Sequence, residues 1–394
     1  MKIAFVHDRI VHEWWAEMVL RDLVSTSVFD DGKLFVLFSI HKKLIVNSKQ
    51  WIEKKIATSF VTPRNDNITL DIITALPIRL NNIFIYFNTR KIPILSAIFD
   101  YRNLMFWFPV LCRMLRKKIE RYNADEILIS SFAAAKNIIK DTSSLFPSPY
   151  SLSPKVTLYL HSPMQYIREN YEENVKKFSF PIKQLYQFAT TYLRPRDKKS
   201  RHYDVVLCNS NYTAKLAKQL YGLEWQVSYP IVDKLFFNEP VEVISKEYFV
   251  FVWRIQKYVR EIWTIIDACN QTHSSLVVIW DWPDMDYAKS IAWPTIIFVW
   301  RIDDVSEKIA IMKHAKWLIN IAKESFWLGT AEALCLWVPV LGYNWWATPE
   351  LVDESNWVLI DDKSTGIVEW LEKFCGKEFD RKLIAEDARW IFGK

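Results

Sequence analysis

Short runs of apolar, β-prone residues alternate along the chain with longer amphipathic stretches, the pattern of parallel α/β sheets. The first run, Ile3–His7, begins almost at Met1. Leu34–Phe38, Glu126–Ser130, Val156–His161 and Val205–Asn209 follow as further predicted strands. Ala16–Val24 reads as the helix after the first strand, and Phe106–Arg121 as a longer one. The polar, strand-poor stretch Asn238–Lys246 predicts a linker. Beyond it a second series is expected, with strands at Tyr248–Val252, Leu276–Ile279, Ile296–Val299, Leu318–Ile321, Val338–Leu341 and Val358–Ile360. The expected domains are therefore 1–237 and 238–375, with a C-terminal helix in 376–394. Ligand sites in open parallel sheets lie beyond the carboxyl ends of the strands, which makes the residues just past each run the first candidates.

A chain of 394 residues is long enough for two α/β domains, each with its own core. Its 51% hydrophobic and 24% charged residues describe a soluble globular protein. No stretch reaches the roughly 18 apolar residues of a membrane-spanning helix, and a strand at the very start leaves no room for a signal peptide. The five cysteines, Cys112, Cys208, Cys269, Cys335 and Cys375, form no CxxC pair and no metal-ligand spacing. A reducing, cytoplasmic setting without a structural metal is expected.

The net charge of +6 is uneven: 76–122 holds nine Lys and Arg against two acids. Phe84, Tyr86, Phe87, Phe106 and Phe108 lie in the same segment. Basic and aromatic residues together suit an anionic membrane surface, such as the inner face of the cell membrane. A helical excursion with a solvated basic face is the other reading, and both stay open. No nucleic-acid motif accompanies the charge, so nucleic acid is not an expected partner.

One feature of the composition is anomalous. The chain has 19 Trp and only 7 Gly; counted together they approach the ordinary glycine share of about 7%. Trp14-Trp15, Trp280-Asp281-Trp282-Pro283 and Trp345-Trp346 all fall in strand-to-helix turns, where positive φ or close backbone approach calls for Gly. The expectation is that UGA codons, glycine in the source organism, have been read as Trp. Genuine tryptophan used for packing or carbohydrate stacking is the alternative.

With Trp327 and Trp337 read as Gly, the block Ala322-Lys323-Glu324-Ser325-Phe326-Trp327-Leu328-Gly329-Thr330-Ala331-Glu332 resembles the E-x7-E signature of glycosyltransferase family 4 (glycosyl transferases group 1). Phe251-Val252-Trp253-Arg254 resembles the family's Gly-Arg turn, Trp280-Asp281-Trp282-Pro283 its Gly-x-Gly-Pro turn, and His12-Glu13-Trp14-Trp15-Ala16-Glu17 its Gly-Gly-Ala-Glu loop. Tyr159-Leu160-His161-Ser162-Pro163-Met164 is similar to the His-Thr-Pro-Met segment of mannosyltransferase-like members from O-antigen and exopolysaccharide assembly. The motifs span almost the whole chain in the family's order.

The resemblance implies an α/β chain of the GT-B fold, two Rossmann-like doubly wound domains facing a central cleft, the first on the acceptor side and the second binding the nucleotide-sugar donor. It implies a retaining hexosyltransferase, with mannose favoured, acting on a glycan or lipid-linked acceptor in cell-envelope polysaccharide biosynthesis. The donor, GDP-mannose or a UDP-sugar, is a co-substrate, and neither cofactor nor metal is expected.

Cations and a helix N-terminus must then stabilise the charge that gathers on the leaving diphosphate. Arg254 is the first candidate, since it directly follows a strand. The family's next cation is a Lys, and here Val259 stands in its place; Lys257 or Arg260 supplies the charge from a neighbouring position, although Arg and Lys differ in reach and geometry. By resemblance Glu324 lies near the transferred sugar and Glu332 accepts hydrogen bonds from the ribose hydroxyls, a task that suits a carboxylate. Phe326, Trp327, Leu328, Gly329 and Thr330 would present the helix N-terminus to the donor. His161 is the expected contact near the reaction centre, and Trp14 and Trp15 mark the acceptor-side loop. Asp8 and His12 are weaker acceptor-side candidates.

Two other readings remain: a sugar-nucleotide-binding protein that has lost catalysis, motivated by Val259, and a sugar-nucleotide epimerase of the same architecture. Family members usually close with a helix crossing back to the first domain, whereas this sequence stops at Ile391-Phe392-Gly393-Lys394.

Overall fold

In the computed structural model, described at residues 1–10, 19–20, 23–24, 27, 31–39, 71–75, 107–139, 154–176, 178–198, 202–237, 247–252, 262–279, 285–299, 302, 304–321, 323–352, 357–360, 365–374 and 377–393, the apolar runs form two parallel sheets. The first contains β1 (Lys2–Ile10), β2 (Asp31–Ser39), β3 (Asp71–Thr74), β4 (Glu126–Ser131), β5 (Lys155–Leu160), β6 (Val205–Cys208) and β7 (Gln226–Val227). Their order is β3-β2-β1-β4-β5-β6-β7. β1 shows why its sequence is almost continuously apolar. Ala4 and Val6 enter one core with Phe35, Ile127 and Leu158, while Ile3 and Phe5 enter another with Leu20, Val24 and Leu34. Successive side chains of a strand point to opposite faces, and a parallel sheet is covered on both.

Helix α1 (Phe108–Tyr122) buries Leu111, Leu115 and Ile119 in the first of these cores, an i, i+4, i+8 stripe on one helical face. It ends where Asn123 takes a left-handed φ of 53°, a conformation Asn tolerates better than most residues. Helices α2 (Tyr171–Val175), α3 (Ile182–Asp197) and α4 (Asn211–Tyr221) follow.

The second sheet holds β8 (Tyr248–Val252), β9 (Ser275–Ile279), β10 (Ile296–Val299), β11 (Trp317–Asn320), β12 (Val340–Tyr343) and β13 (Trp357–Ile360) in the order β10-β9-β8-β11-β12-β13. Between and after them run α5 (Ile262–Gln271), α6 (Met285–Ile291), α7 (Val305–Lys313), α8 (Leu328–Cys335), α9 (Thr365–Phe374) and α10 (Arg381–Phe392). Phe249, Phe251, Val278, Ile319 and Leu341 meet Ile265, Ile266 and Trp370 in its core. In both sheets the order reverses beside the first strand, at β1–β4 and at β8–β11, the place where doubly wound sheets open a crevice for ligands.

The chain divides into two compact units, 1–209 with 213–228 and 210–212 with 229–394. In the second, α10 packs on α8: Arg389 Nε donates to the Cys335 carbonyl at 3.3 Å, and the Phe392 carbonyl accepts from Val232 N at 2.9 Å. Among the described residues no helix is long and apolar enough to cross a membrane.

The strand expected at Val338–Leu341 starts two residues later, at Val340. The end of α8 is the reason: Val338 N–H is spent on the Ala333 carbonyl at 2.9 Å, inside the helix-closing motif. The expected helix Ala16–Val24 falls mostly outside the described residues, as do the linker 238–246 and most of the basic segment 76–122.

Candidate functional site

The β11–α8 connection gathers most of the expected donor residues. β11 ends at Asn320, whose amide donates to Thr330 Oγ1 at 2.9 Å and ties the first turn of α8 to the strand end. Glu324 lies half-buried in the connecting loop. Phe326, Leu328, Gly329 and Thr330 are buried around the helix start. No side chain caps α8 at Trp327, and the first N–H groups of any helix lack partners within it. Such an end attracts anions.

Glu332 sits one turn further in and is 5% exposed. Its Oε2 accepts from Lys308 Nζ of α7 at 2.5 Å, and Lys308 also lies 5.2 Å over the Phe236 ring. A carboxylate buried this deeply needs such a partner. The pair engages one of the two Glu332 oxygens.

Two tryptophans of this unit hold backbone conformations that suit glycine, and a third lies against a helix start. Trp337 has φ of 62°. Its N–H donates to the Leu334 carbonyl at 3.0 Å and Val338 N–H to that of Ala333 at 2.9 Å, so Trp337 holds the left-handed position of a Schellman motif, usually Gly. Trp346, in the loop after β12, has φ of 55° and stacks on Tyr212 at 5.2 Å. The third, Trp327, lays its indole across the first turn of α8: its ring atoms stand 3.1 Å from where a Cβ on Gly329 would be.

In the first unit, three polar residues line up at adjoining strands. His7 Nδ1 lies 3.0 Å from Ser130 Oγ, and Ser130 Oγ 2.8 Å from His161 Nε2. All three side chains are buried. A single hydroxyl proton serves only one ring, so at least one imidazole donates to Ser130. Burial, and after it the neighbouring His7, push His161 well below the usual imidazole range, and it is neutral at pH 7. Tyr159 and Phe132 pack against its ring at 4.9 and 6.4 Å between centroids.

Asp8 has a different task. Its Oδ2 accepts from Ser131 Oγ (3.0 Å), Phe132 N (2.7 Å) and Ala133 N (2.9 Å), and its Oδ1 from Ala134 N and Ala135 N (both 2.6 Å). Successive N–H groups in a turn form an anion cradle, and here the protein's own carboxylate fills it.

The structure thus groups Glu324, Phe326, Trp327, Leu328, Gly329, Thr330 and Glu332 in the second unit, and puts His161 with His7 and Ser130 in the first. Arg254, Lys257, Arg260, Val259, Trp14, Trp15 and His12 lie outside the described residues. Sequence reasoning missed Lys308, Ser130 and His7. The two strand-end residues carried the same signal as His161, a polar residue closing an apolar run; Lys308 carried none, since a helix-surface lysine reads as solvated. Among the described residues no three of His, Cys, Asp and Glu gather as a metal site.

No known family model matches the chain, and no curated protein matches its sequence. Solved structures do match its fold. Anabaena HepE, solved in complex with UDP and glucose, is similar with a TM-score of 0.63 at 14% identity, over 100% of this chain and 95% of that one. WaaG, a glycosyltransferase involved in lipopolysaccharide biosynthesis, gives 0.59 at 12% identity, over 100% and 95%. A glycosyltransferase from Rickettsia africae ESF-5 gives 0.57 at 11% identity, over 99% and 94%. With its two parallel sheets, each flanked by helices, the chain has the α/β GT-B fold.

Proposed function

We propose that the chain is a glycosyltransferase of the retaining family 4 type, moving a hexose from a nucleotide sugar to a glycan or lipid-linked acceptor in cell-envelope polysaccharide biosynthesis. The observation that carries this reading is the uncapped start of α8 at the β11 end, bracketed by Glu324 and Glu332 and beside the reversal of strand order. Similarity in fold to HepE, solved with UDP and glucose, and to WaaG, of lipopolysaccharide biosynthesis, supports both the donor class and the envelope role. Mannose is favoured through the His161 segment alone.

In the reaction the bond from the anomeric carbon to the diphosphate oxygen breaks, and the diphosphate leaves with the electron pair. The acceptor hydroxyl attacks that carbon and passes its proton to the departing diphosphate oxygen. The α8 N–H groups, with Arg254 and with Lys257 or Arg260, stabilise the charge gained by the leaving group. Glu332, held by Lys308, accepts from the ribose diol, and Glu324 lies by the sugar. His161, being neutral, hydrogen-bonds near the reacting carbon without bringing a positive charge to it.

The same proposal takes glycine as the native residue at the anomalous tryptophans. Positive φ at Trp337 and Trp346 and the Trp327 indole across the α8 start support it. Intact mass of the protein from its own host, matching 19 Trp, overturns this part. The activity is tested with the glycine-restored chain against a panel of nucleotide sugars, by thermal shift and by transfer to glycan or lipid-linked acceptors. A raised midpoint with one donor, followed by turnover, is expected; no shift with any donor defeats the reading. Val259 favours a second reading, a binding protein without catalysis, and binding without turnover by the glycine form selects it.

A further inference from the structure

Ser130 is buried at the carboxyl end of β4, after the apolar run Ile127-Leu128-Ile129. Its neighbour Ser131 turns to the opposite face and donates to Asp8 Oδ2 at 3.0 Å. Ser130 Oγ instead lies between two buried imidazoles, 3.0 Å from His7 Nδ1 and 2.8 Å from His161 Nε2. A buried hydroxyl needs a hydrogen-bond partner, and a single partner meets that need; two rings on one oxygen go beyond it.

The backbone of His161 is held independently of this contact. Its N–H donates to the Ser131 carbonyl at 2.9 Å, and its carbonyl accepts from Thr213 Oγ1 at 3.3 Å. These bonds place the main chain and leave the torsions of the ring open. Phe132 and Tyr159 lie beside the ring and limit its tilt, but apolar packing does not tell a ring nitrogen from a ring carbon. A half-turn about the Cβ–Cγ bond exchanges each nitrogen with a carbon, and that torsion is broad and roughly two-fold. A hydrogen bond to Nε2 does distinguish them, and the bond made at one imidazole nitrogen sets the protonation of the other.

We infer that Ser130 is a positioning residue for His161: its hydroxyl, anchored on the far side by His7, fixes the orientation and the tautomer of the imidazole. The inference rests on the sugar-transfer reading, in which His161 hydrogen-bonds near the reacting carbon. A ring turned about Cβ–Cγ, or protonated on the wrong nitrogen, offers the substrate a carbon or the wrong half of a hydrogen bond.

The experiment uses the full glycine-restored chain labelled with ring-15N histidine. The His161 signals, identified by their loss in His161→Gln, should report one tautomer in the parent at pH 7 and a mixture in Ser130→Ala. In transfer assays Ser130→Ala should lower kcat by about tenfold to a hundredfold, the effect of a misplaced group, with donor KM and nucleotide affinity kept within about twofold. Ser130→Thr keeps the hydroxyl and should restore most of kcat. A lowered melting point in Ser130→Ala with kcat unchanged overturns the inference, since that is the signature of a purely structural hydroxyl. Ring spectra that are identical in Ser130→Ala and the parent overturn it as well. A parent chain that transfers nothing defeats the sugar-transfer reading instead; the spectra need no substrate, and they then decide the hold of Ser130 on His161 by themselves.

Discussion

Glycine and alanine differ by one methyl group, which is enough to separate backbone demand from packing at Trp337. Both Trp337→Gly and Trp337→Ala remove the indole and its contact with Arg389 at 4.4 Å. Only glycine reaches a φ of 62° without the clash that costs an ordinary residue about 1–2 kcal/mol. Trp337→Gly is therefore expected to be more stable than Trp337→Ala by about 1 kcal/mol in urea unfolding. At the exposed helical position Trp390 the order should reverse by roughly 0.5–1 kcal/mol, because helix interiors favour alanine. Equal stability of the two variants at position 337 would contradict the glycine assignment there. Asp8 makes a second residue-scale case. Asp8→Ala strands four N–H groups, three of them buried, and a hydroxyl, and a loss of about 3 kcal/mol or more is expected from the same unfolding measurement.

Elements were readable in this chain to the extent that both of their faces are buried. β1, β4, β8 and β9 stand out as apolar runs because a covered parallel strand leaves no polar alternation. β3 has four residues and β7 two, too few to show any period. Candidate site residues followed the same logic: His161 and Glu324 lie just after strand ends and Glu332 in the helix that follows, whereas Lys308 gains its meaning only when α7 is brought against α8. The end of α3 shows a further feature that no spacing announces. Asp197 pairs with Lys136 at 2.7 Å and Arg168 at 3.1 Å and accepts from Tyr221 at 2.8 Å, tying α3 to the turn after β4, the loop after β5 and the end of α4. Burial alone would raise its pKa; the Lys136 charge and hydrogen bond outweigh it, aided by Tyr221 and Arg168, and the carboxyl titrates below its usual range. A depressed folded pKa contributes stability that is fully present above the unfolded value of about 3.9 and is lost as pH falls through the folded one. Urea midpoints should thus hold down to about pH 4 and fall below it. Asp197→Asn leaves buried cations without their counter-ion, at a cost of about 3–5 kcal/mol at pH 7, and should flatten that acid limb; an unchanged limb would show that other carboxylates set it.

At the scale of the whole molecule the two units share a strand order and differ in chemistry. In the first, the cradle of N–H groups after β4 is already filled by Asp8. In the second, α8 starts without a side-chain cap, with Glu332 further along it. Under the proposed function, the nucleoside diphosphate belongs to the α8 start of the second unit, and the buried His161 of the first unit is assigned to a sugar or acceptor hydroxyl. The units should accordingly separate in mutational effect. In the glycine-restored chain, Glu332→Gln removes the charge that the proposed function assigns to the ribose hydroxyls, and hydrogen bonds to charged groups are worth about 1.5–3 kcal/mol; affinity for the nucleoside diphosphate should then fall by roughly ten- to a hundredfold. His161→Ala should leave that affinity within about twofold of the parent and abolish transfer. Calorimetry with the nucleotide alone reads the first effect and a transfer assay the second. If His161→Ala weakened nucleotide binding as much as Glu332→Gln did, the division of labour between the units would fail, because a group that acts on the sugar or acceptor has no reason to alter the affinity of a ligand that lacks both.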